Sequence, residues 1–179
     1  MAVFSDYAPY TENELGHEIV KIKILSDGKP IDAILELNDE YGDDVEITLT
    51  VEGDILKSQA HTFFEALNKL RVILEKDNKQ LVCFGTCENV YPSAMQLDMG
   101  VGRLAYRCTL GMQAKNEDIV DIFNSDSSCV PASIEAQKQF NDKWVHSIIS
   151  RTKEADTALA TTKSHKKSFG DKVKGWFGK

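Results

Sequence analysis

The residues that could do chemistry in this chain are four cysteines, at 83, 87, 108 and 129, four histidines, at 17, 61, 146 and 165, and two acidic clusters. Nucleophilic catalysis needs a Ser or Cys beside a histidine base and an orienting acid. Ser93 or Cys87 could meet His61 or His146 only through the fold, and each histidine reads more simply as a surface residue of a helix or strand edge. Cys83 and Cys87 form CxxxC, not the CxxC of zinc sites and thioredoxin-like enzymes, so the cysteines are expected to serve as small, reduced apolar residues. Asp39, Glu40, Asp43 and Asp44 make one acidic cluster and Glu117, Asp118 and Asp121 the other. Neither follows the DxDxDG spacing of a calcium loop, and both read as solvated turns. On this evidence no catalytic residue, metal or cofactor is assigned.

The surface chemistry is concentrated between Gly85 and Gly111, a connection longer than an ordinary hairpin loop. Met95, Leu97, Met99 and Val101, with the rigid Tyr91-Pro92 pair, predict an ordered segment. GVGR lacks both phosphate-loop spacings and leads toward a strand, which argues against a nucleotide site. From Arg103 to Leu110 the period of two predicts a strand with Leu104, Tyr106, Cys108 and Leu110 inward and Arg103 and Arg107 sharing the other face. Tyr91, Ser93, Asp98, Arg103 and Arg107 are the expected partner-binding residues of this region. An enzyme acting on an anionic substrate in a pocket under residues 85–103 is the alternative.

A second signal lies at the C-terminus. In SFGDKVKGWFGK, helical spacing places Phe169, Val173, Trp176 and Phe177 in one aromatic stripe among lysines, with three glycines that disfavour an isolated helix. Such a basic amphipathic tail is expected to bind a protein groove or an anionic membrane surface. Six lysines against Asp171 give the segment from Thr161 a charge of +5, which leaves −12 on residues 1–160 out of the net −7. An acidic body speaks against nucleic acid and favours a basic protein partner.

The scaffold is legible in the hydrophobic periodicity. The chain has 179 residues, 42% hydrophobic and 27% charged, which suits one soluble domain over 1–160 followed by the tail at 161–179. The acidic N-terminus and the lack of a long apolar run lead to the expectation of a cytoplasmic protein. Residues 19–25, 31–37 and 45–52 alternate as strands with Val20, Ile22, Ile24, Ala33, Leu35, Leu37, Val45, Ile47, Leu49 and Val51 inward, and Asp27-Gly28 is a turn pair. Short turns make these an antiparallel meander. A helix is expected from a cap near Ser58 to Asp77, where Asn78 ends it, with Phe63, Leu67, Leu70 and Leu74 as its stripe and Phe64, Ala66 and Ile73 beside it.

Strands at 81–84 and 104–110 flank the long loop, residues 116–123 are too short to assign, and a second helix capped by Ser133 turns Ile134, Phe140, Trp144, Val145 and Ile148 to the body. The fold class is therefore α+β, a two-layer sandwich in which a mainly antiparallel sheet of about five strands is covered by two helices. Small acidic α+β chains of this kind resemble bacterial toxin-neutralising immunity proteins in general character, a resemblance of size, charge and fold class rather than of motif. It implies a protein-interaction module, more inhibitor than enzyme, with an acidic surface that masks a basic partner.

Overall fold

The computed structural model describes residues 13–14, 17–41 and 43–151. The tail residues Phe169, Val173, Trp176 and Phe177 lie outside the described residues. Alternating apolar residues with short turns between them build a curled antiparallel sheet from β1 (Asn13–Glu14), β2 (His17–Ser26), β3 (Lys29–Tyr41), β4 (Asp44–Val51) and β5 (Asp54–Ala60). The register lines up one inward row, Val20 opposite Leu35, Leu35 opposite Leu49 and Leu49 opposite the partly buried Leu56. Leu37, Ile47 and Ser58 form the next.

Two turns fix that register. Asp27 and Gly28 take φ of 50° and 75°, and Glu52 and Gly53 take 51° and 93°, the left-handed pairs of two-residue hairpins whose twist matches the strands. The Asp27-Gly28 pair was expected from the sequence. Glu52-Gly53 was not, and with it went β5. Ser58 therefore lies in a strand instead of capping a helix, and its hydroxyl donates to the Ala66 carbonyl at 2.7 Å. The meander has four strands, β2 to β5, rather than three.

Helix α1 (Phe63–Lys76) starts at Thr62, whose hydroxyl accepts from the Glu65 N–H at 3.2 Å. It stops at Asp77, after which Asn78 turns left-handed with φ 53°. Phe63, Phe64, Ala66, Leu67, Leu70 and Leu74 are buried against the sheet, while Ile73 faces out. Burying each large side chain contributes about 1.5–3 kcal/mol, so this layer carries much of the stability. The helix crosses the sheet face from β5 to β6 (Lys79–Val82), which pairs with the C-terminal half of β2 while β1 pairs with the N-terminal end of the same edge.

The following residues form a smaller three-stranded sheet from β7 (Val90–Tyr91), β8 (Leu104–Arg107) and β9 (Ile119–Asp121), with α2 (Ala94–Met99) between β7 and β8. A last helix, α3, runs through residues 134–151. Ser133 caps it by accepting from the Ala136 N–H at 3.1 Å, as its sequence predicts. Its large apolar residues are only half covered, Phe140 and Trp144 included, and Val145 is exposed. The expectation that Phe140 joins the core is thus corrected. The residue α3 does bury is Gln137.

Candidate functional site

The segment from Gly85 to Gly111 is ordered because its backbone is tied to both layers. The Gly85 N–H donates to the Ile122 carbonyl at 2.8 Å, and the Phe63 N–H, one of the free donors at the start of α1, finds the Val101 carbonyl at 2.7 Å. A Cβ on Gly85 would stand 2.6 Å from a Leu67 methyl and 3.1 Å from the Ile122 carbonyl oxygen, so a larger residue would push the 84–87 turn away from α1 and Ile122.

Each residue expected to face a partner has an identifiable position. Tyr91, on β7, is half-buried with its ring edge-on to Phe64 at 5.2 Å between centroids. Ser93 caps α2, accepting from the Gln96 N–H at 3.3 Å while the Gln96 side chain accepts from the Ser93 N–H at 2.8 Å, a reciprocal capping box. Asp98 is exposed on α2.

The two arginines share a strand face as predicted, but that face is the inner one. Ala105, between them, is completely buried; of the residues expected inside, Leu104 and Leu110 are exposed and Tyr106 is half-buried, while Cys108, just past the end of β8, is buried as expected. The inversion follows from charge pairing. Arg103 Nε donates to Asp121 at 2.8 Å, and both of its terminal nitrogens reach Glu18, one of them at 2.9 Å. The Glu18 carboxylate raises the guanidinium further above its ordinary value. Arg107 pairs with Asp126 at 3.1 Å and lies over the Phe84 ring at 4.5 Å. Asp121, one of the acidic cluster at 117–121, is thereby turned toward the protein. Among the described residues no group of His, Cys, Asp or Glu has the arrangement to hold a metal.

The surface that remains is apolar. Met95 and Met99 sit one helical turn apart on α2 and are 70% and 83% exposed, and Val101 and Leu104 follow at 40% and 44%. Leu97, on the other side of α2, packs on the core and holds the helix in place. Two local costs accompany this patch. Val101 adopts φ 44°, a left-handed conformation that a β-branched residue resists by roughly 1–3 kcal/mol. Gln96 Nε2 is buried and has no hydrogen-bond partner among the described residues.

A different polar centre was invisible in the sequence. Arg71 of α1 is 3% exposed and Gln137 of α3 is 1% exposed. Arg71 donates to Gln137 Oε1 at 2.5 Å, to Asn68 at 2.8 Å and to the Ala132 carbonyl at 2.8 Å, while Gln137 Nε2 donates to the carbonyls of Gly85, Cys87 and Val90 at 2.9, 3.0 and 2.9 Å. Burial pulls the Arg71 guanidinium below its ordinary value, and the charge of Glu75 opposes this. The network ties α1, the 84–90 turn and α3 into one unit. A cleft beside it, lined by Arg71, Glu75, Lys79, Thr86 and Pro131 among others, has room for about 10 Å³, the size of one water.

His61 lies 2.7 Å from Asp44, and Cys87 lies against Cys129, so the fold gives both groups neighbours other than those weighed from the sequence. Among the described residues no helix is long and apolar enough to cross a membrane. Comparison with protein-family models and with curated proteins finds no match.

Proposed function

We propose that this chain is a protein-interaction module that engages its partner through the 85–111 region, with α2 at the centre of the contact. The observation that carries this reading is the pair of exposed methionines one turn apart, flanked by Val101 and Leu104. Unbranched thioether side chains adapt to varied apolar surfaces, and clustered exposed apolar area marks interaction sites. The strained backbone at Val101 in the same segment agrees, since folds retain such costs where function needs the geometry. Asp98 is exposed on the same helix, Tyr91 ties the strand before it to Phe64, Ser93 caps α2, and the ion pairs of Arg103 and Arg107 anchor β8, the strand that follows.

The acidic body favours a basic partner, as an inhibitor or toxin-neutralising protein would require, and the lysine-rich tail with Phe169, Val173, Trp176 and Phe177 is the second contact. Met95→Glu/Met99→Glu in the full chain tests the first contact, and a chain ending at residue 160 tests the second. A photo-crosslinker at position 99 identifies the partner, whose affinity is then measured directly. The double variant is expected to bind at least tenfold more weakly with its melting temperature within about 2 °C of the parent, since surface changes seldom unfold a protein. The truncated chain should lose a salt-dependent part of the affinity. Unchanged affinity in the double variant would refute the α2 contact, and blue-shifted Trp176 emission with anionic vesicles but not with the partner would move the tail to a membrane.

A further inference from the structure

Among the four cysteines, two are brought together by the fold across 42 residues of sequence. The Sγ atoms of Cys87 and Cys129 are 2.8 Å apart, only about 0.8 Å beyond the ~2.05 Å of a disulfide bond. The backbone on both sides is fixed. Cys87 pairs with Pro131 in an antiparallel bridge, and the Ala132 N–H donates to the Thr86 carbonyl at 2.9 Å. Cys129 is presented by a tight turn in which Asp126 accepts from the Ser128 N–H at 2.8 Å and the Cys129 N–H reaches the Asp126 carbonyl at 3.1 Å. Bonding the sulfurs therefore needs side-chain rotation and little backbone movement.

The surroundings separate this pair from the other cysteines. The contact with Cys129 lowers the pKa of Cys87 and the Arg107 guanidinium lowers it further, while burial opposes them. The same contact pushes Cys129 up, which favours ionisation at Cys87. Burial pushes Cys83 up to about 12 and Cys108 up to about 11, leaving both as inert thiols at neutral pH. Cys87 itself is 5% exposed and Cys129 is half-buried, an access that suits an oxidant the size of a peroxide better than a bulky disulfide.

We propose that Cys87 and Cys129 form a reversible dithiol–disulfide site, oxidised by small peroxides, that staples the 84–87 turn to the segment leading into α3. The Cys87 thiolate attacks one oxygen of hydrogen peroxide and the O–O bond breaks, with the departing hydroxide taking up the proton that Cys87 released. The resulting sulfenic acid is attacked at sulfur by Cys129. The S–O bond breaks, and the hydroxide leaves as water with the Cys129 proton. The two thiols are oxidised by two electrons and one peroxide is reduced to two waters. A dithiol reductant reverses the step by two thiol–disulfide exchanges, becoming a disulfide itself.

The staple acts on α3, whose apolar face is only half covered and whose attachment rests on the Gln137 network. Closing a loop of this length should raise the melting temperature by about 5–10 °C. The site is independent of the α2 contact.

Treating the reduced full chain with stoichiometric hydrogen peroxide tests the proposal. Intact mass should fall by two hydrogens, peptide mapping should find the 87–129 cross-link, and dithiothreitol should restore both the mass and the lower melting temperature. Cys129→Ala, at the half-exposed position, should abolish the cross-link without unfolding the chain, whereas Cys108→Ala should leave it intact. Oxygen added to Cys87 or Cys129 without a cross-link, a bond to Cys83 or Cys108 instead, or an oxidised form that melts no higher than the reduced one would each overturn the proposal.

Discussion

Replacing Gln137 by methionine removes the polar hub of the interior while keeping its length and volume. In the parent its amide nitrogen serves three backbone carbonyls, and its oxygen accepts from a guanidinium that is almost wholly buried. Some of these groups keep other partners. The Cys87 carbonyl also accepts from the Val90 N–H at 3.2 Å, and Arg71 retains Asn68 and the Ala132 carbonyl. The Val90 carbonyl loses the Gln137 amide, at about 1–3 kcal/mol for a buried acceptor left unsatisfied, and Arg71 loses a hydrogen bond to a charged group, at about 1.5–3 kcal/mol. Gln137→Met should therefore cost about 3–5 kcal/mol in urea unfolding, with the slope unchanged and the melting temperature down by roughly 10 °C. Gln137→Glu separates the two contributions. It gives Arg71 a counter-charge but turns an acceptor toward three carbonyls, so it should also destabilise. A methionine variant within 1 kcal/mol of the parent would refute the claim that the network holds α3 in place. Full stability in the glutamate variant would show that the charge of Arg71 matters and the carbonyls do not.

The two arginines should differ in consequence. Arg103→Glu sets three carboxylates together where Glu18 and Asp121 now share one cation, and should cost roughly 2–4 kcal/mol, whereas Arg107→Ala, at a more open pair, should cost about 1 kcal/mol; equal effects in chemical denaturation would contradict the inner-face assignment. Alkaline pH tests the buried thiol of Cys83. Its folded pKa of about 12 lies above the ordinary 9.0, so from pH 9 upward the unfolded chain releases a proton that the folded one keeps. The contribution of this thiol is then whole below pH 9 and falls by roughly 1.4 kcal/mol per pH unit up to about pH 12, with Cys108 adding its own loss between pH 9 and about 11. Cys83→Ala should flatten that part of the profile, and a profile identical to the parent's would refute the assignment.

The strands β2, β3 and β4 and the stripe of α1 were legible in the sequence because period-two and period-3.6 patterns report a single buried face, and every residue named for those faces is buried except Ile73, at the margin of the stripe. The caps and turns that obey local rules, Asp27-Gly28, Asn78 and Ser133, were legible for the same reason. β5 was not, because Ile55 and Lys57 lie outside while Leu56, Ser58 and Ala60 lie inside, an alternation too weak to outweigh the helix that follows.

The face of β8 was decided by tertiary structure. Apolar periodicity placed Leu104 inside, but the carboxylates of Glu18 and Asp121, distant in sequence from Arg103 or from each other, draw the arginine face inward. The sequence likewise set which residues could ionise, donate or be oxidised, but not which would meet. Arg71 with Gln137 and Cys87 with Cys129 are separated by 66 and 42 positions. No local pattern encodes such pairs, since only chain closure through α3 and the 124–133 segment brings them within a bond's reach.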